Sequence, residues 1–207
     1  MALKTEIDKI RANPGEYLTE ACVLALGAFL FGYRVTNTGH TALLDELTRR
    51  FEGPDQADAC TRAYLGAATT ERALRNVLDV LDALLAAAPE SECQPGVNSQ
   101  HGFVSFVRDA ITSGRTGLVF AEPTVDWCAN YWKGFLAGVA EVDATAAVRE
   151  HEQFEAFERW LAARYDQAQV PWYALIRVYE GADLSGLRAF VSLWDEFQNQ
   201  SSSQTAT

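Results

Sequence analysis

GAFLFGY, residues 27–33, sets the terms for the rest of the chain, because KGFLAGV, residues 133–139, repeats its pattern without a gap. Phe29 falls with Phe135, Leu30 with Leu136 and Gly32 with Gly138. The first copy of the motif sits in CVLALGAFLFGY, an apolar run of about a dozen residues that ends at Arg34. That is too long for one strand and well short of the roughly 18 residues a membrane span needs, so it reads as a buried helix. Thr19 is the expected cap of this helix and the polar stretch from Thr36 to His40 its end.

Outward from this pair, the same landmarks recur in the same order. LTRRFEG from Leu47 matches LAARYDQ from Leu161, and RAYLG from Arg62 matches RVYEG from Arg177. LRNVLDVLD from Leu74 matches LRAFVSLWD from Leu187. Amphipathic helices share a 3.6-residue period by construction, but a shared period does not order four distinct motifs. The expectation is an all-α chain of two diverged copies of one helical unit, packed as a pseudo-twofold bundle. Repeat 1 covers residues 1–87, a linker 88–101, repeat 2 102–199 and a disordered tail 200–207.

The helices follow from apolar spacing and punctuation. Ile7 and Ile10 mark a short opening helix stopped by Asn13, Pro14 and Gly15. Leu43, Leu44, Leu47 and Phe51 mark a helix from Thr41, ended by Gly53 and Pro54, and the next runs toward Tyr64 with Gly66 as a left-handed stop. Thr69 or Thr70 restarts a helix whose stripe is Leu74, Val77, Leu78, Leu81, Leu84 and Leu85. APESECQPGVNSQH, residues 88–101, cannot pack a core. Beyond it a helix ends at Gly114, TGLVFAEP reads as extended chain or turn, and further helices span Val125–Val139, about 144–165 and Trp172–Tyr179. Gly181 stops the last of these and Asp183 caps a final helix.

Composition narrows function more than it names it. The chain has 207 residues, 48% apolar and 22% charged, with a net charge of −11. Phosphate backbones need clustered Lys and Arg, so no nucleic acid is expected. Cys22, Cys60, Cys93 and Cys128 lie more than thirty residues apart, outside metal or redox spacings, and read as buried thiols in a reducing compartment. Glu6 and Asp8 interrupt the start where a signal peptide would be uncharged. A cytoplasmic location is expected, with no membrane partner.

Catalytic, cofactor and metal sites are not expected. Glu150, His151, Glu155 and Glu158 crowd one helix, but a di-metal bundle needs a Glu-x-x-His pair on each of two helices. SGRTG around Arg115 lacks the lysine and preceding strand of a phosphate loop. His40 and His101 lie in predicted loops with no nucleophile elbow near them.

Arg11, Pro14, Tyr17, Leu18, Phe29, Gly32 and Tyr33, followed by Phe157, Trp160, Tyr165, Trp172, Leu175, Ile176, Phe190, Leu193, Glu196 and Phe197, carry a likeness to a known group. The chain resembles a short, largely uncharacterised family of bacterial helical proteins with Tyr-Leu, Phe-x-x-Gly-Tyr, Phe-x-x-Trp and Phe-x-x-Leu-x-x-Glu-Phe signatures. The second copy departs from it, lacking the Arg, Pro and Tyr-Leu opening and carrying Val139 in place of Tyr. The resemblance implies an immunity or accessory role in bacterial competition.

All five tryptophans lie in the second copy, where Trp127 and Tyr131 replace Ala21 and Ala25 of the first. Charge is uneven too, with 12 acidic and 9 basic residues through position 87 and 16 and 8 after it. The expected function is therefore a non-enzymatic, acidic inhibitor or immunity protein that neutralises a cationic toxin or effector. Its expected contact residues are Asp126, Trp127, Tyr131, Trp132, Glu141 and Asp143. The alternative is a helical small-molecule-binding protein or enzyme with a pocket between the two repeats.

Overall fold

A computed structural model describes residues 2–51, 58–88, 102–116 and 123–205. Among them the chain is all-α, with no strand. The helices are α1 Ala2–Ala12, α2 Pro14–Tyr17, α3 Val23–Thr36, α4 Thr41–Arg49, α5 Ala59–Gly66 and α6 Thr70–Ala87, then α7 Phe103–Thr112, α8 Val125–Val142, α9 Ala144–Arg164, α10 Trp172–Tyr179 and α11 Leu184–Thr205. No helix among the described residues is long and apolar enough to cross a membrane. The chain divides into two compact units, one of residues 1–99 with 130–147 and one of 100–129 with 148–207.

In the first unit, α1, α3 and α6 bury Leu3, Ile7, Ile10, Leu26, Phe29, Leu74, Val77, Leu78 and Leu81 in one core. Each large apolar side chain so buried contributes about 1.5–3 kcal/mol. Arg11 ties α1 to α6 through Asp79 (2.8 Å) and Asp82 (2.7 Å).

The two motifs that opened the sequence meet inside this unit. A Cβ on Gly134 would lie 1.8 Å from the Phe29 carbonyl oxygen, one on Gly32 2.1 Å from that of Tyr131, and one on Gly138 2.1 Å from Thr36 Oγ1. The two backbones therefore touch, and glycine is the residue that permits it. Phe29 meets Gly134, Tyr33 meets Gly138 and Asn37 meets Glu141, so α3 and this part of α8 run in the same direction. Thr36 Oγ1 donates across the contact to the Phe135 carbonyl (3.3 Å).

Thr19 was expected to cap α3 and does not. Asn130 holds it instead, with Thr19 N–H donating to Asn130 Oδ1 (2.9 Å) and Asn130 Nδ2 donating to Thr19 Oγ1 (2.7 Å). The cap is Cys22, whose sulfur accepts from Ala25 N–H at 3.3 Å. Thr69 caps α6 as expected, accepting from Arg72 N–H. Gly66 is not a left-handed stop, since α5 runs into extended chain at Ala67.

The second unit is built on aromatic rings. Phe190 lies 5.0 Å from Trp172 and 5.8 Å from both Phe103 and Phe157, and Phe157 lies 5.1 Å from Trp194. Gly181 takes φ +112° after α10, and Asp183 caps α11 by accepting from Ser185 N–H (2.9 Å). The sequence stop and cap are both present here.

Two expected boundaries differ. Residues 130–147, second-copy by sequence, belong to the first unit, because the glycine contacts bring α8 onto α3. The tail expected to be disordered continues α11 to Thr205, since extending an established helix costs far less than starting one. The expected linker, apart from Ala88, lies outside the described residues, as do Gly53, Pro54 and most of TGLVFAEP.

Candidate functional site

The six expected contact residues are divided between the two units. Asp126 and Trp127 belong to one unit, the other four to the other. Trp127, Tyr131 and Trp132 are all buried. Tyr131 lies against Phe31 and Phe135, and Trp132 stacks on Phe135 at 5.9 Å. Aromatics at helical spacing serve as core here, which takes Trp127, Tyr131 and Trp132 out of the expected interface. Asp126 pairs with Arg177 (3.1 Å), and Asp143 caps α9 by accepting from Ala146 N–H. Glu141 accepts from Tyr33 Oη and from Asn37 Nδ2 (2.8 Å).

The charge gradient along the sequence also disappears. The first unit holds 16 acidic and 10 basic residues, the second 12 and 7, so the nets are −6 and −5. Neither unit is the more attractive to a cation by charge alone.

What the second unit does expose is an aromatic ledge. The rings of Tyr165, at the end of α9, and Tyr179, at the end of α10, stack at 4.3 Å and within 5° of parallel. The turn between the helices places two non-glycine residues in the left-handed region, Asp166 at φ 53° and Gln169 at φ 67°. Each such residue costs about 1–2 kcal/mol, so this turn is held by its surroundings. Tyr165 Oη donates to Glu180 Oε1 at 2.5 Å, and burial together with that bond pushes its pKa up to about 12. Beside the stack, Val178 is 72% exposed and Tyr179 48%. Arg177 is paired with Asp126 and Arg164 with Glu196, whereas Glu180 and Asp166 have no basic partner among the described residues.

A signal for this ledge was present in two similar segments of the sequence. RVYEG supplies Val178 and Tyr179, and its counterpart RAYLG supplies Tyr64 and Leu65, 45% and 63% exposed. The two segments read as helix ends, yet each turns its tyrosine outward.

A polar cluster occupies the end of α3 in the first unit. Tyr33 Oη lies 3.2 Å from His40 Nδ1 and accepts from Asn37 Nδ2 (3.2 Å), and all three residues are buried. Burial holds the His40 pKa below its ordinary value, opposed in part by the Glu141 carboxylate. The unfolded chain therefore takes up this proton first. The stability His40 contributes is complete above its unfolded pKa of ~6.5 and is lost as pH falls through that value. The thermal midpoint is expected to drop between pH 7 and 5, and less steeply in His40→Asn. Equal slopes in the two proteins would refute this assignment.

The other residues with possible chemistry are dispersed. His151 Nε2 faces Glu155 at 3.3 Å on the surface of α9. Cys60 and Cys128 are buried with thiols pushed well up by desolvation, which makes them poor nucleophiles. Comparison with known protein families, curated proteins and solved structures finds no match to this chain.

Proposed function

We propose that the chain is a non-catalytic protein-binding module, an acidic cytoplasmic inhibitor of the immunity type, that engages a cationic protein through its Tyr165–Tyr179 ledge. The observation that carries this reading is the pre-stacked tyrosine pair, Tyr179 exposed and Tyr165 half-buried, with Val178 beside it and the carboxylates of Glu180 and Asp166, which have no basic partner among the described residues, at its edge. Rigid aromatic side chains give contact area with little ordering cost, and carboxylates without a basic partner keep their charge to steer a basic surface. The resemblance to the bacterial immunity-type family and the internal duplication belong to the same reading.

The test is a pulldown from the native host with the tagged chain, followed by a binding measurement on the recovered protein across a salt series. A basic partner released by salt is expected, with affinity about thirtyfold weaker for Tyr179→Ala, corresponding to roughly 2 kcal/mol. Because Tyr179 is exposed, the variant's fold should be unchanged. Undiminished affinity in the variant, or failure to recover a basic protein, would overturn the proposal.

A further inference from the structure

Within the second unit, a cleft of about 360 Å³ opens between the first turn of α7, the early part of α9 and the middle of α11. That volume lies at the lower end of small-ligand sites. Its aromatic wall is Trp194, held in place by Phe154 at 5.7 Å, Phe157 at 5.1 Å and Phe197 at 5.8 Å. Its charged lining is Glu150, Arg108 and Asp195. Arg108 is neutralised by its ion pair with Asp195, which leaves one carboxylate over.

That carboxylate is Glu150. It is half-buried and makes no hydrogen bond or ion pair among the described residues. Gly102 lies beside it, with a Cβ position 3.8 Å from Glu150 Oε1. Burial pushes its pKa up, with Arg149 only partly opposing the shift. A desolvated carboxylate without a partner is costly to the fold, and a cation placed against it would recover that cost. An ammonium group beside an indole ring gains a second attraction from the ring's negative face.

We propose that this cleft binds a small organic cation, with an ammonium group on Glu150 and its carbon stem along Trp194. The inference rests on the cavity and its unpartnered carboxylate, independently of the tyrosine ledge and of any protein partner.

The experiment is a titration of the full-length, isotopically labelled chain with n-butylammonium chloride, and separately with sodium acetate, at pH 7 and constant ionic strength. Amide resonances of Val104, Ser105 and Gln153 should shift saturably with the ammonium salt, half-saturating at about 1–10 mM, as suits a ligand of five heavy atoms. Glu150→Gln removes the charge while sparing the fold an unpaired carboxylate, and should weaken binding roughly tenfold or more. Lowering the pH should weaken binding to the native chain as Glu150 protonates, and leave Glu150→Gln unaffected. No saturable shift at these amides, equal binding by Glu150→Gln, or binding of acetate in place of the ammonium would each overturn the proposal.

Discussion

A Gly134→Val chain is expected to lose at least about 3 kcal/mol of stability, a fall of roughly 6–12 °C in thermal midpoint for a protein of this size. The reason is local and steric. The first atom of any side chain at this position would lie 1.8 Å from the Phe29 carbonyl oxygen, and that obstacle is backbone, which cannot rotate away. Opening the contact would also disturb the bonds that cross it, from Thr36 to Phe135 and from Asn37 to Glu141. Gly66→Ala is the control. Nothing lies within 4 Å of its Cβ position and φ there is not left-handed, so the substitution should stabilise α5 by about 0.5–1 kcal/mol. A Gly134→Val midpoint equal to that of the native chain would show that α3 and α8 do not pack this closely.

Phe190→Ala is expected to cost about 3–5 kcal/mol, the usual range for removing a fully buried ring. Phe190 has 0% exposure and touches Phe103, Phe154, Phe157, Trp172 and Trp194, so truncation leaves a cavity lined by rings that cannot all close over it. Chemical denaturation followed by tryptophan fluorescence reads the loss, since Trp172 and Trp194 both border the cavity. Val178→Ala, on the exposed ledge, should stay within about 0.5 kcal/mol of the native chain. A comparable loss in both variants would place Val178 in a core contact and remove the ledge.

The helices were legible because their signals are local. Leu74, Val77, Leu78 and Leu81 recur every three or four residues, and Gly114, Gly181, Thr69 and Asp183 sit where the chain must turn or satisfy unpaired amides. Gly66 failed because a glycine at a helix end permits the left-handed conformation without requiring it. Thr19 failed because its hydroxyl and amide had a competing partner, Asn130, that lies 111 residues away.

The candidate surface was less legible. A tryptophan-rich helix and a run of carboxylates look alike in sequence whether they face water or a neighbour, so Trp127, Tyr131 and Trp132 read as an interface and are core. Tyr165 and Tyr179 read as helix ends because neither position carries a periodic pattern that would mark it. Their stacking depends on a turn that holds Asp166 and Gln169 at positive φ, a geometry no propensity favours.

By itself, then, the amino-acid sequence determined the helical class of this protein and most of its helix limits, because periodicity, capping and turn chemistry act over a few residues. Only the tertiary structure decided that GAFLFGY and KGFLAGV touch, that residues 130–147 join the first unit, and which aromatics and carboxylates are left facing water. The first two outcomes depend on contacts between residues about a hundred positions apart, where the deciding quantity is the space available to a single Cβ.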